Sequence, residues 1–240
     1  MPPDLISSLP DCVLGSIVSL LGTEEGARTA VLARRWRHVW LSSPLNFEEP
    51  PYSCQHIQII SQILHAHIGP ARRVAFTRQM TSNVFPYDDW FRLPLFDALE
   101  ELILYFGGSC IDIQRLPSSA LRFASLRVLD IKYCIFPDVC SVAFPCLTHL
   151  SLYQVGDSGS MKISFRTLFP VVSGSRDIIP VSPVERFSAV RILALTMPKL
   201  NLKVVICYLR CFPFLEKLHI KMDEFERPWI LRSVYSCRVS

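Results

Sequence analysis

Apolar residues along this chain change their period twice. Between residues 11 and 22 they fall at helical spacing: Val13, Leu14, Ile17, Leu20 and Leu21 occupy i, i+1, i+4, i+7 and i+8, a stripe opened by Leu9-Pro10-Asp11 and stopped at Gly22. Pro10 suits a first turn, where its missing N–H would have no partner, and Asp11 suits the positive end of the dipole. Thr23 is placed to cap a second short helix with Glu24 and Glu25 in its first turn, and Val31, Leu32, Trp36, Val39 and Trp40 form a third apolar set that runs to Pro44. Residues 44–54, with three prolines and two adjacent glutamates, read as a linker. Ile57, Ile60, Leu64 and Ile68 predict one amphipathic helix over 55–68, closed by Gly69-Pro70. The period then drops to two, because Arg73-Val74-Ala75-Phe76-Thr77 alternates as a short strand does.

Downstream the same short pattern returns five times. Leu99, Leu102 and Leu104 are followed by Leu126, Leu129 and Ile131, by Leu147, Leu150 and Leu152, by Val190, Leu193 and Leu195, and by Leu215, Leu218 and Ile220. The copies start at residues 99, 126, 147, 190 and 215, so they lie 27, 21, 43 and 25 apart. Phe96, Phe123, Phe144, Phe187 and Phe212 lead into them, and Cys134 falls at the Asn/Cys position of the second copy. Leucine-rich repeats have this pattern at a period of about 20–29 residues, so 43 is the room two units would take. Each unit supplies a strand whose alternating leucines cannot be hidden alone, and stacking buries them. Leu202, Val205, Leu209 and Phe212 read as a helical return. Near Leu168, where a middle unit would begin, no such pattern stands. Residues 156–186 instead hold glycines and prolines that deprive a strand ladder of donors. The expectation is a missing strand that divides the array into 71–155 and 187–222.

A helical unit of about 40 residues hides only ~60% of the surface its unfolded chain exposes, so part of its apolar set faces another element or another protein. The order LPD, a Leu/Ile stripe, a short capped turn and VLARRWRHVW over residues 4–47 resembles the F-box. One departure is Ala33, where that family often has serine before the two basic residues. The resemblance implies docking to the small Skp-type adaptor of a cullin-RING ubiquitin ligase, through Leu9, Pro10, Leu14, Ile17, Leu20, Leu21, Val31, Leu32 and Trp36. The whole chain is similar to plant-type F-box/leucine-rich-repeat proteins, in which residues 61–78 correspond to the helix and first strand between the F-box and the repeats. A helix-turn-helix presenting Arg34, Arg35, Arg37 and His38 to DNA is the competing reading of the three helices. Trp36 and Trp40 interrupt that basic run and no second basic cluster backs it.

Composition narrows the chemistry. Of 240 residues half are apolar, too many for disorder. The net charge of +4 comes from 25 basic and 21 acidic residues scattered along the chain, which leaves no electrostatic footprint for nucleic acid or membrane. With Asp4 in place of a basic leader and no apolar run near ~20 residues, neither a signal peptide nor a membrane span is expected, which points to cytoplasm or nucleus. The nine cysteines then read as reduced thiols, and no CxxC pair marks a metal site. His56, His65 and His67 read as solvated histidines rather than ligands. Phosphate-loop, nucleophile-elbow and metalloprotease motifs are missing, so no catalytic residue, cofactor or metal is expected.

The expected fold class is α+β: an N-terminal three-helix F-box followed by an irregular, incomplete α/β leucine-rich-repeat solenoid. The divisions are 1–47 for the F-box, 48–70 for a linker and connecting helix, 71–222 for degenerate repeats and 223–240 for a C-terminal tail. The repeat core is Leu99, Leu102, Leu104, Leu126, Leu129, Ile131, Leu147, Leu150, Leu152, Leu193, Leu195, Leu215, Leu218 and Ile220. The function that follows is substrate recognition in an SCF-type ubiquitin ligase, with a Skp-type adaptor and an unnamed target protein as partners. The alternative is a free-standing repeat scaffold whose helical unit caps one end.

Overall fold

Pro10, extended at φ −60° and ψ 150°, delivers the chain into helix α1, Asp11–Val18. The computed structural model describes residues 5, 6, 8–49, 56–76, 87–106, 114–135, 144–153, 188–197, 202, 205, 206, 209 and 212–222. Helix α1 ends four residues before Gly22, and single turns close at Leu20 and Leu21, whose N–H groups reach the carbonyls of Ile17 and Val18. Helix α2, Thr23–Thr29, is capped by Gly22 rather than by Thr23. The Thr23 hydroxyl has better partners across the fold: it donates to the Asn46 carbonyl at 3.1 Å and accepts the Glu48 N–H at 3.2 Å. Helix α3 is Arg34–Ser42, so Val31 and Leu32 lie on the turn before it and the third apolar set is split.

These helices share a small core of Leu14, Val18, Val39 and Trp40. Gly26 lets α2 approach it, since a Cβ there would stand 2.5 Å from the Trp40 ring. Strand β1, Leu45–Glu48, follows α3 directly, inside the stretch expected to be a linker. It pairs parallel with β2, Ala71–Phe76, reached through helix α4, His56–Ala66. The sheet therefore begins at Leu45 and crosses the boundaries drawn at 47 and 71. Gly69 brings the end of α4 against the end of α3: its N–H bonds the Leu41 carbonyl at 2.9 Å, and a Cβ would lie 2.3 Å from the Ser43 carbonyl oxygen.

From β2 the chain passes through helix α5, Tyr87–Trp90, and a 3-10 turn at Pro94–Phe96 into β3, Glu101–Tyr105. A short β4, Gln114–Arg115, and a second 3-10 turn, Ser118–Arg122, precede β5, Val128–Lys132. Then come β6, Cys134–Ile135, β7, His149–Tyr153, β8, Ile192–Met197, and β9, Lys217–Met222. The main sheet is parallel throughout, in the order β1-β2-β3-β5-β7-β8-β9, while β4 and β6 form a separate parallel pair. Parallel neighbours require crossovers, and the sheet follows chain order because each crossover returns beside the strand it left.

Register turns the repeated leucines into two ladders. Phe47, Val74, Leu102, Leu129, Leu150, Leu193 and Leu218 stand side by side, as do Phe76, Leu104, Ile131, Leu152, Leu195 and Ile220. Through β8 every member is buried. Hiding a leucine is worth about 1.5–3 kcal/mol, so the ladders hold the strands in phase and a one-residue slip would expose them all. Leu99, Leu126, Leu147 and Val190 are buried at the start of each unit. The leading aromatics make the turn into it: the N–H groups of Leu99, Leu126, Leu147 and Leu215 bond the carbonyls of Phe96, Phe123, Phe144 and Phe212 at 3.1–3.2 Å. Phe187 lies outside the described residues.

Three expectations need correction. Strands β7 and β8 pair directly, Leu150 beside Leu193 and Leu152 beside Leu195, so the sheet is continuous across the interval of 43 residues. The ladder takes no account of the length of chain between its rungs, and the main sheet has no gap at that interval. Residues 156–186 and the middle unit sought near Leu168 lie outside the described residues. In the last unit, Leu215 ahead of β9 and Leu218 in it are only half-buried and Ile220 is exposed, because β9 is the last strand of the described sheet and has a neighbour on one side alone. In the return before it, Val205 and Phe212 are buried but Leu202 and Leu209 are exposed.

Candidate functional site

Two surfaces present chemistry, one on the helices and one on the sheet. On the helices the sequence-selected residues divide by burial. Leu14 is fully buried against Val18, Val39 and Trp40 and is therefore core, not surface. Leu9 and Trp36 are half-buried and pack against that core, and Leu21 is half-buried. Pro10 and Ile17 are exposed, and Val31, Leu20 and Leu32 are 85%, 80% and 70% exposed. Leu5, Ile6 and Val13 add to this apolar surface. Sequence reasoning left out Leu5 and Ile6 because no period marks two residues ahead of a helix.

Arg35 fixes the entrance to α1. Its guanidinium reaches Asp11 Oδ1 at 2.7 Å and donates to the Leu9 carbonyl, so Arg35 of α3 holds the Leu9-Pro10-Asp11 corner. Spacing in sequence could not have paired residues 24 positions apart, and the pairing gives Arg35 an intramolecular role where a DNA-reading helix would need it free.

Behind the helices, His67 is buried where solvent was expected. Its Nε2 lies 2.8 Å from the Ser43 carbonyl and its ring meets Trp40 edge-on at 5.3 Å. Burial pushes its pKa below the usual 6.5, and the bond to Ser43 only partly opposes this. The unfolded chain then takes up a proton that the folded one resists. Stability is fully present above about 6.5 and falls as pH drops through the lowered value, by at most about 1.4 kcal/mol per pH unit. Urea melts at a series of pH values should show a smaller acid loss in His67→Gln than in wild type; parallel curves for the two would refute it.

On the sheet, residues that alternate with the ladders line the open face in three rows, all exposed or half-buried except Ala75, which is buried. They are Asn46, Arg73, Glu101, Val128, His149, Ile192 and Lys217; then Glu48, Ala75, Ile103, Asp130, Ser151, Ala194 and His219; then Tyr105, Lys132, Tyr153, Thr196 and Lys221. Tyr133 follows β5 at φ 55°, a left-handed conformation that disfavours side chains other than those of Gly, Asn and Asp. That turn sets its ring 5.5 Å from Tyr105 and 4.8 Å from Tyr153, with its hydroxyl 3.0 Å from that of Tyr153. The three tyrosines were missed in the sequence because each belongs to a different repeat.

Among the described residues no group of His, Cys, Asp or Glu could hold a metal ion, and Cys134 is a wholly buried thiol whose pKa burial raises far above its ordinary value. No described helix is long and apolar enough to cross a membrane. A helical unit in front of a parallel sheet of leucine-bearing strands defines a repeat protein with a helical head.

The comparisons specify it further. The family described as FBD-associated F-box protein At5g56370, LRR repeats, matches residues 87–175 and 171–220. Relatives from Arabidopsis thaliana include the F-box protein At1g49610, 33% identical over 157 residues covering 63% of this chain and 39% of the relative. The F-box protein At5g03100 is 31% identical over 171 residues, 67% of this chain and 52% of the relative. The F-box/FBD/LRR-repeat protein At1g51370 is 22% identical over 242 residues, 98% of this chain and 54% of the relative. The chain belongs to the plant F-box/leucine-rich-repeat family. It spans between about a third and about half of the length of the curated relatives it matches. No solved structure matches it.

Proposed function

We propose that this chain is the substrate-recognition subunit of an SCF-type cullin-RING ubiquitin ligase, with residues 1–47 as an F-box that docks a Skp-type adaptor and the leucine-rich repeats as the solenoid that holds a target protein. The observation that carries the reading is the exposed apolar set Pro10, Ile17, Leu20, Val31 and Leu32 on a helical unit whose core is already complete without it. Such side chains are costly to leave in water and serve an interface when a partner covers them. The names of the relatives support the F-box assignment. In this role the chain does no chemistry of its own. It raises the local concentration of target lysines beside the charged ubiquitin carrier, in the cytoplasm or nucleus.

A second reading has an observation of its own. Thr23 bonds to Asn46 and Glu48, and the Asn46 side-chain amide donates to the Ser19 carbonyl, so the helical unit covers the first strand of the sheet. This is what a terminal cap on a free-standing repeat scaffold would do. Co-purification of the full chain with a Skp-type adaptor separates the two. Capture supports the ligase subunit, and no capture by the folded chain leaves the scaffold.

A further inference from the structure

Charge on the open face of the sheet is unevenly distributed. On β1 to β5 the charged side chains pair among themselves: Arg73 lies 3.4 Å from both Glu48 and Glu101, and Lys132 lies 3.6 Å from Asp130. On β7 to β9 the open-face positions are His149, Ser151 and Tyr153, then Ile192, Ala194 and Thr196, then Lys217, His219 and Lys221. No acid occupies any of them. Glu216 stands just ahead of β9 and faces Arg191 at 3.8 Å. Lys217, His219 and Lys221 are exposed and alternate along β9, opposite the partly covered Leu218 and the exposed Ile220.

On β8, Ile192 stands between His149 and Lys217, the short Ala194 between Ser151 and His219, and Thr196 between Tyr153 and Lys221. The two sides of β8 differ in chemistry: the bonded hydroxyls of Tyr133 and Tyr153 toward β5 and β7, exposed ammonium groups on β9. Side chains of an extended segment repeat at about 6.6–6.8 Å for every second residue, the repeat of the lysines and histidine below it.

We infer that the β7–β9 part of the open face binds an extended acidic peptide segment of the target, laid over the short side chains of Ala194 and Thr196 with its carboxylates toward Lys217 and Lys221. This deepens the proposed target-binding role of the repeats and rests on it. The paired charges on β1 to β5 contribute no net attraction, so selectivity for acidic segments comes from the β9 end.

Fluorescence anisotropy on the full chain tests it, with labelled peptides of alternating glutamate and serine, or glutamine and serine. At about 0.1 M salt the acidic peptide should bind about tenfold more tightly than the neutral one and weaken as salt rises. Lys217→Glu with Lys221→Glu should remove that preference, and Lys217→Arg with Lys221→Arg should keep it. Equal binding of the two peptides, or a preference that survives the Glu variants, overturns the inference. So does tighter binding of anionic vesicles or single-stranded RNA than of the acidic peptide. Asp223, Glu224 and Glu226 follow β9 in sequence. If only the chain with these three neutralised binds the acidic peptide, the occupant is the chain's own acidic run and the inference also fails. Adaptor capture measured on the same samples separates the outcomes: peptide selectivity without capture sinks the ligase reading alone, and capture without selectivity sinks this inference alone.

Discussion

Aspartate at Leu20 and Val31 together should abolish capture of a Skp-type adaptor while leaving the melting temperature close to that of wild type. Both side chains are at least 80% exposed, so their replacement removes no folded-state packing, and exposed substitutions of this kind usually change stability by within about 0.5 kcal/mol. Apolar anchors at an interface are each worth about 2 kcal/mol or more when removed, and every 1.4 kcal/mol is about tenfold in affinity. Two such losses, with two charges to desolvate, amount to more than about a hundredfold. Leu14 is the internal control. It sits on the same stripe three residues before Ile17 but is fully buried, so Leu14→Asp should unfold the helical unit rather than strip its surface. Leu9→Ala with Pro10→Ala mixes the two effects, because Leu9 packs against the core while Pro10 faces solvent. Calorimetry of the full chain against purified adaptor decides the matter, and wild-type affinity in the folded Leu20/Val31 variant would remove the basis of the ligase proposal.

The parts of this fold written in short-range pattern were legible. Leu102 and Leu104, Leu129 and Ile131, Leu150 and Leu152 are two apart, the period of a strand, and each lies buried in register with its counterparts. The phenylalanine three residues ahead of each unit was visible as a recurring lead-in, and the structure gives the reason: one hydrogen-bonded turn, repeated, with a buried ring at its start. What failed had its cause elsewhere in the chain. Thr23 has the chemistry of a cap, yet Asn46 and Glu48 claim its hydroxyl. Residues 45–48 looked like a linker because their prolines flank them, and they become a strand because β2 offers a parallel edge.

The candidate surfaces were legible in the same uneven way. A stripe at helical spacing names the apolar face without saying which of its members turns inward. Leu14 and Leu20 could not be separated without the position of Trp40 and Val39 from another helix. His67 looks polar in sequence but is enclosed by Trp40 and Ser43, both more than 20 residues away. The Tyr105, Tyr133 and Tyr153 group arises only when register brings three repeats together.

Leu193→Ala should destabilise the whole sheet, and by more than any surface change considered above. Leu193 is fully buried and stands between Leu150 on β7 and Leu218 on β9, so truncation leaves a hole on one of the two ladders that join the strands before residue 155 to those after 187. A leucine-to-alanine change in such a position costs about 2–5 kcal/mol, a large part of the stability of a domain of this size. Where the loss is felt separates two descriptions of the array. If pairing of β7 with β8 makes the sheet one cooperative unit, hydrogen exchange should speed up in 101–105 and 128–132 as well as in 192–197 and 217–222, and the urea transition should stay single while moving to lower concentration. If the strands on the two sides unfold separately, exchange in 101–105 and 128–132 should match wild type while the last two strands lose protection. Five directly paired positions, His149 beside Ile192 through Tyr153 beside Thr196, equal the number joining β3 to β5 and β5 to β7. That equality leaves no weaker seam between β7 and β8 at which the sheet would part, so the shared loss of protection is the expected result.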